Sequence, residues 1–154
     1  KVESTIVEND INALIPKDYI KNDTERLNIY RRLFETQTYD ELDLIKKELR
    51  DRFGEYLDDV ENLLKIVSIK IKATEIGLEK ITLRGKGASL FFPANKEHPI
   101  FTSEFFNKII SFISTDKTRK FNISSNKEQL EIEVRLDSPE DEKRLAEIET
   151  ILSI

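Results

Sequence analysis

Apolar residues along the chain change their spacing once, near Gly77, and that change divides the sequence into two regions of different secondary structure. At the start, Val2-Glu3-Ser4-Thr5-Ile6-Val7 predicts a short extended segment, and Ala13-Leu14-Ile15-Pro16-Lys17-Asp18-Tyr19-Ile20 an apolar connector interrupted by its proline. Three helices follow. The first opens at Asn22 or Asp23, with Glu25 placed to complete a capping box, and carries Leu27, Tyr30, Leu33 and Phe34 as its apolar stripe. In the second, Thr38-x-x-Glu41 is a capping box and Leu42, Ile45, Leu49 and Phe53 recur at helical spacing. Gly54 sits where the backbone must leave the helix with positive φ. The third runs from Asp58 or Asp59 to Gly77. Val60, Leu63, Leu64, Val67 and Ile71 face one way, while Ile66 and Ile69 widen the apolar surface, which predicts burial on two sides. Ile69-Lys70-Ile71-Lys72 alone would read as a strand, but it lies within a run free of turn residues.

Beyond Gly77 the period falls to two. Lys80–Arg84 and Ala88–Phe92 flank Gly85-Lys86-Gly87, the pattern of a hairpin closed by a glycine turn. Ser103 caps a helix bearing Phe105, Phe106, Ile109, Ile110 and Ile113. Phe121–Ile123 and Leu130–Leu136 predict a second strand pair, the latter with one solvated face. Ser138-Pro139 reads as an N-cap followed by proline at the first helical position, leading into Leu145, Ile148, Ile151 and Leu152. The expected fold is α+β. Residues 1–77 form the extended segment and three helices, and residues 78–154 a ββαββα half with a mainly antiparallel sheet. The two are expected to pack at a seam near Gly77–Glu79, with no Gly/Ser linker, repeat or low-complexity tract between them.

Composition narrows the class. The 154 residues are 38% hydrophobic and 36% charged with a net charge of −5, which fits a folded, well-solvated module and opposes a polybasic nucleic-acid arm. The absence of cysteine excludes disulfides and thiolate sites and makes a cytoplasmic location the expectation. The longest charge-free stretch, Gly87–Asn95, falls far short of the roughly 20 apolar residues that span a bilayer, so no membrane partner is expected. Lys1 at the start suggests a piece of a longer protein.

The inventory also disfavours most catalysis. A single histidine, His98, leaves the usual zinc ligand sets out of reach, and its Lys96-Glu97-His98-Pro99 setting reads as a solvated loop. The four glycines build neither phosphate-binding loop, and no calcium-loop spacing exists. Paired carboxylates in a shared cleft remain open as a hydrolase reading. A nucleic-acid surface would rest on Arg84, Lys86, Lys117, Arg119 and Lys120, with Phe91, Phe92 and Phe121 for base stacking. The net charge opposes it, and phenylalanines in strands are usually core.

One constellation is more pointed. Glu48, Asp51 and Arg52 stand at i, i+3 and i+4 on the second helix, on a face roughly opposite or flanking its apolar stripe. Their ordinary reading is an intrahelical Glu48–Arg52 pair with Asp51 solvated; their functional reading is a charged docking face. The surrounding words are Leu14-Ile15-Pro16-Lys17-Asp18-Tyr19-Ile20, Arg26-Leu27-x-x-Tyr30-x-Arg32, Leu42-x-x-Ile45-Lys46-x-Glu48-Leu49-x-Asp51-Arg52-Phe53-Gly54 and Asn62-Leu63-Leu64. Over about Ala13–Gly77 they resemble the C-terminal domain of the bacterial transcription-repair coupling factor. Leu57 and Asp59 stand where that family often has prolines, a departure in the turn between helices and not on the charged face.

The resemblance implies a non-catalytic regulatory module without a cofactor of its own. It would belong to an ATP-dependent DNA translocase whose ATP, magnesium and DNA are handled by other domains and which engages stalled RNA polymerase. It implies docking of Glu48, Asp51 and Arg52 on a UvrB-like module of the same chain, which masks the surface that binds UvrA. The alternative is a DNA-contacting accessory domain using Arg84, Lys86, Lys117, Arg119 and Lys120.

Overall fold

The three helices form where the caps predict them. In the computed structural model, which describes residues 3–126 and 128–154, they are α1 (Asp23–Glu35), α2 (Tyr39–Phe53) and α3 (Asp58–Ile76). Val2 of the expected extended segment lies outside the described residues. The chain divides into two compact units, one of Ile11–Ile71 and the other of Lys1–Asp10 with Lys72–Ile154, so the last turn of α3 belongs to the second.

In the helical unit the Asn22 side chain accepts from the Glu25 N–H and that of Thr38 from the Glu41 N–H, satisfying donors that the first helical turn leaves free. The Glu41 carboxylate returns a bond to the Thr38 hydroxyl and the Gln37 N–H rather than to the Thr38 N–H. At the far end of α2, Gly54 has φ 87°, as the glycine stop requires. The Tyr19 hydroxyl donates to the carbonyls of Gly54 (2.8 Å) and Leu49 (3.1 Å), so the connector caps the helix. The Ile15 N–H is held by the Tyr30 hydroxyl at 2.7 Å. Ile15, Ile20, Ile29, Leu33, Leu42, Ile45, Leu49, Val60, Leu63, Leu64, Val67 and Ile71 make one apolar cluster. Full burial of such side chains contributes about 1.5–3 kcal/mol each.

The stripe expected on α1 is corrected by this cluster. Ile29 and Leu33 are buried and Tyr30 half-buried, whereas Leu27 and Phe34 remain 63% and 69% exposed. Leu27 and Phe34 lie seven residues apart on a stripe rotated away from Ile29, and helical pitch cannot bring both stripes to one core. α3 keeps the burial predicted for it, with the Ile69–Lys72 alternation absorbed into one continuous helix.

The second unit is a mixed sheet with helices: β1 (Ile6–Asn9), β2 (Lys80–Arg84), β3 (Gly87–Phe91), a 3-10 turn at Pro99–Thr102, α4 (Glu104–Thr115), β4 (Phe121–Asn126), β5 (Gln129–Arg135) and α5 (Asp141–Leu152). Strand order is β1-β2-β3-β5-β4, with β1 parallel to β2 and every other pair antiparallel. The chain leaves β1, runs through residues 10–79 and returns as β2, the long crossover that a parallel pair needs. Arg84 opposes Gly87, leaving Gly85-Lys86 as a two-residue turn in which Gly85 has φ 54°. Alternation buries Ile81, Leu83, Ala88, Leu90, Ile132 and Val134 on one face, while Glu133 and Arg135 stay exposed, as the pattern of the last strand predicts.

Two details of this half differ from expectation. Of the α4 stripe, Phe105 and Ile109 are fully buried and Phe106, Ile110 and Ile113 only half-buried. α5 begins at Asp141 and not after Ser138: the Ser138 hydroxyl accepts from the Glu140 N–H, closing a local turn that competes with helix initiation.

Candidate functional site

The polar face of α2 is built on a helix whose opposite side is anchored by Leu42, Ile45 and Leu49, which fixes how its charged residues project. Glu48 is the centre of an ionic ladder across two helices. Its Oε1 meets Arg32 Nη2 at 2.9 Å; its Oε2 meets Arg32 Nη1 at 3.0 Å and Arg52 Nη1 at 2.9 Å. Arg52 Nη2 then donates to Glu25 Oε1 at 2.9 Å, and the Arg52 guanidinium lies 4.7 Å from the Phe53 ring centroid. The fork-shaped pair with Arg32, seconded by Arg52, holds the Glu48 carboxyl below the usual glutamate range, and Glu48 in turn raises Arg32.

The trio is therefore not uniform. The i, i+4 pair Glu48–Arg52 forms, and Glu48 is filled besides by Arg32. Asp51 is exposed, with no hydrogen-bond or ion-pair partner among the described residues. Arg32 and Glu25, outside the expected trio, complete the site from α1. Arg32 already stands in the Arg26-Leu27-x-x-Tyr30-x-Arg32 word, but pairing it with Glu48 requires the angle at which α1 and α2 pack. Each exposed pair contributes about 0.2–1 kcal/mol.

The five cations of the nucleic-acid reading are brought to one end of the sheet. Arg84 and Lys86 are exposed at the β2–β3 turn, and Lys117 and Arg119 in the loop before β4, where Arg119 has φ 59°. The Leu136 N–H donates to the Lys86 carbonyl and the Arg135 N–H to that of Lys120, so both segments flank the end of β5. Lys120, however, is an internal counter-ion, 2.8 Å from Asp137 and 2.5 Å from Glu147. The loop is fixed by Asp116, whose carboxylate accepts from the Thr118 hydroxyl and the backbone N–H groups of Thr118, Phe121 and Lys120, and is held at about 2. The stacking residues do not form a platform. Phe92 is fully buried against Phe101 and Phe106, Phe121 is half-buried, and the Phe91 ring is taken by Lys80 at 4.8 Å.

Other chemistry is structural. Arg144, 4% exposed, donates to Asp10 (2.7 Å), Asp141 (2.6 Å) and the Gly85 carbonyl (2.8 Å), while the Gly85 N–H donates to Asp10 at 2.8 Å. This cluster ties β1, the hairpin turn and α5, and no spacing in the sequence announces it. His98 is half-buried rather than solvated: its Nδ1 accepts from the Ile100 N–H and caps the 3-10 turn. Among the described residues no cluster of His, Asp or Glu could hold a metal ion, and no helix is long and apolar enough to cross a membrane.

An α+β module of mixed five-stranded sheet and three-helix unit, with a charged α2 face, is the class that these observations define. The TRCF domain model matches residues 9–102, and the chain belongs to that family. It is 34% identical over 102 residues to a transcription-repair-coupling factor of Staphylococcus epidermidis, covering 66% of this chain and 9% of that protein. A factor of the same name from Staphylococcus aureus is 38% identical over 86 residues, 56% of this chain and 7% of that protein. The chain thus spans only a small part of the length of the curated relatives it matches. In fold it is similar to the crystal structure of the C-terminal domain of a transcription-repair coupling factor, with a TM-score of 0.73 at 21% identity, covering 97% of this chain and 93% of that one.

Proposed function

We propose that this chain is a regulatory docking module of a transcription-repair coupling factor: its α2 face binds a UvrB-like module of the same protein and masks the surface through which UvrA is recruited. The observation that carries this reading is the exposed charged face of α2, where Asp51 has no partner among the described residues beside the Arg32–Glu48–Arg52–Glu25 ladder, in a chain of the TRCF family. The motor chemistry, ATP, DNA and RNA polymerase contacts of the factor belong in this reading to other domains, and the module needs no cofactor.

Weak polar contacts suit a clamp that must open. Between separate molecules, exposed pairs at about 0.2–1 kcal/mol each give modest affinity. Tethered at an effective concentration on the order of 1 mM, an intrinsic Kd of ~10 μM gives roughly 100:1 closed, about 2.7 kcal/mol, which a competing partner can reverse.

The test is binding in trans between this chain and the UvrB-like module of the coupling factor from its source organism, by a method sensitive to ~100 μM. Binding that weakens with salt and vanishes in Asp51→Arg is the expected outcome. No binding, with a steeply salt-dependent shift of duplex DNA instead, would favour a DNA-contacting accessory role for Arg84, Lys86, Lys117 and Arg119.

A further inference from the structure

β1 is held to its sheet in a different way from β2 and β3 beside it. None of the side chains of Ile6–Asn9 is buried, whereas β2 buries Ile81 and Leu83 and β3 buries Ala88 and Leu90. Apolar burial therefore contributes little to the attachment of β1. What holds it is polar and sits at its two ends. Thr5, 1% exposed, donates its N–H to the Thr74 hydroxyl at 2.9 Å and its own hydroxyl to the Leu78 carbonyl at 2.6 Å. At the far end the Asp10 N–H donates to the Leu83 carbonyl at 3.1 Å, and the Asp10 carboxylate accepts from the Gly85 N–H and from one guanidinium N–H of Arg144. Between these ends lie only the parallel ladder to β2 and a Glu8–Lys80 pair at 3.3 Å.

The two fasteners also bear on connectivity. The helical unit, Ile11–Ile71, begins directly after Asp10 and ends inside α3, so the chain joins it to the sheet unit at two points, one of them the end of β1. Detaching β1 leaves Arg144 its bonds to Asp141 at 2.6 Å and to the Gly85 carbonyl at 2.8 Å, so the buried guanidinium keeps a counter-charge, while the Asp10 side chain, already 40% exposed, passes readily to water. We propose that β1 is a releasable strap fastened by Thr5 and Asp10. It leaves the edge of β2 in a local opening that keeps β2, β3, β5 and β4 paired, and while it is off, the helical unit is tethered to the sheet unit through α3 alone.

A strap that opens as one piece differs in hydrogen exchange from a strand that frays at its tip and from one that opens only with the whole sheet. Amide protection in the 154-residue chain is read by NMR at Ile6 and Asp10, the two ends of the ladder to β2, and at the ladder amides of β3 and β5. The variants are Asp10→Ala and a disulfide between Glu8→Cys and Thr82→Cys, which are register partners in a chain with no native cysteine. In the parent, Ile6 and Asp10 should share one protection factor within about threefold, at least roughly tenfold below those of β3 and β5. Asp10→Ala should lower protection at the distant Ile6 by roughly 5- to 10-fold and leave β3 and β5 within about twofold of the parent. Oxidising the disulfide should raise Ile6 and Asp10 to the level of β3 and β5, and reduction should reverse it. Asp10 as protected as β3 beside a fast Ile6 would mean fraying, and equal protection in all three strands would mean opening with the whole sheet; either overturns the strap. So does an Ile6 amide indifferent to Asp10→Ala, or a disulfide without effect. The parent and disulfide measurements decide the matter even where Asp10→Ala does not fold.

Discussion

Two ionic networks of similar make-up sit in the two units of this chain. In the sheet unit, Arg144 is 4% exposed and holds Asp10, Asp141 and the Gly85 carbonyl; in the helical unit, Arg32 and Arg52 are each 44% exposed and share Glu48, and Arg52 also meets Glu25. Burial makes them opposites. A buried charge stripped of its partners is costly, so the Arg144 cluster is committed to the fold. Exposed pairs are interchangeable with water at little cost, so the α2 ladder can exchange partners without unfolding its unit. Ion pairs that hold a fold and ion pairs free to meet another protein are told apart by their solvation, not by their chemistry.

The largest effect should come from the buried network. Arg144→Ala leaves Asp10 and the Gly85 backbone without their guanidinium and should cost about 3–5 kcal/mol, measured by urea unfolding followed in the far ultraviolet. All four tyrosines lie in residues 11–71, so tyrosine fluorescence reads the helical unit alone. An Arg144→Ala variant whose stability matched the parent would erase the contrast.

Leu49→Ala, beneath the charged face, should lower the tyrosine-detected stability by about 2–5 kcal/mol, because the apolar stripe and not the ladder anchors α2. Thr38→Ala, which removes the side-chain acceptor for the Glu41 N–H, should cost ~1 kcal/mol by the same probe.

Glu48→Gln should change stability least, by under about 1 kcal/mol at neutral pH. The pH dependence has a defined sign. The folded value of Glu48 is depressed by Arg32 and Arg52, so its contribution is complete above the ordinary glutamate range and is lost as pH falls through the folded value. Below about pH 4 the parent and Glu48→Gln should therefore converge in tyrosine-detected stability. A gap that widened on acidification would contradict the ladder.

Local features were legible in the sequence and distant ones were not. The N-cap of α2, its stripe and its Gly54 stop are set by neighbours within four residues, and all three appear as expected. The charged trio on α2 was visible through helical spacing alone. Its completion by Arg32, sixteen residues from Glu48, depends on how α1 lies against α2, and helical periodicity within one element carries no such information. Arg144 and Asp10 are 134 residues apart, and an arginine in an acidic helix start looks like ordinary surface until the hairpin turn closes over it. Leu27 and Phe34 mislead for the opposite reason: hydrophobicity gave them to the core, and the geometry of one helix facing one cluster leaves them outside it.

The most direct test of the docking account is competition. Capture of UvrA by the UvrB-like module is measured as this chain is titrated in, with Asp51→Arg as the control. The parent chain should lower UvrA capture in a saturable, salt-sensitive manner, and the variant should not. UvrA capture unaffected by a parent chain shown to be bound to the module would contradict masking, and equal inhibition by Asp51→Arg would contradict the α2 face as its means.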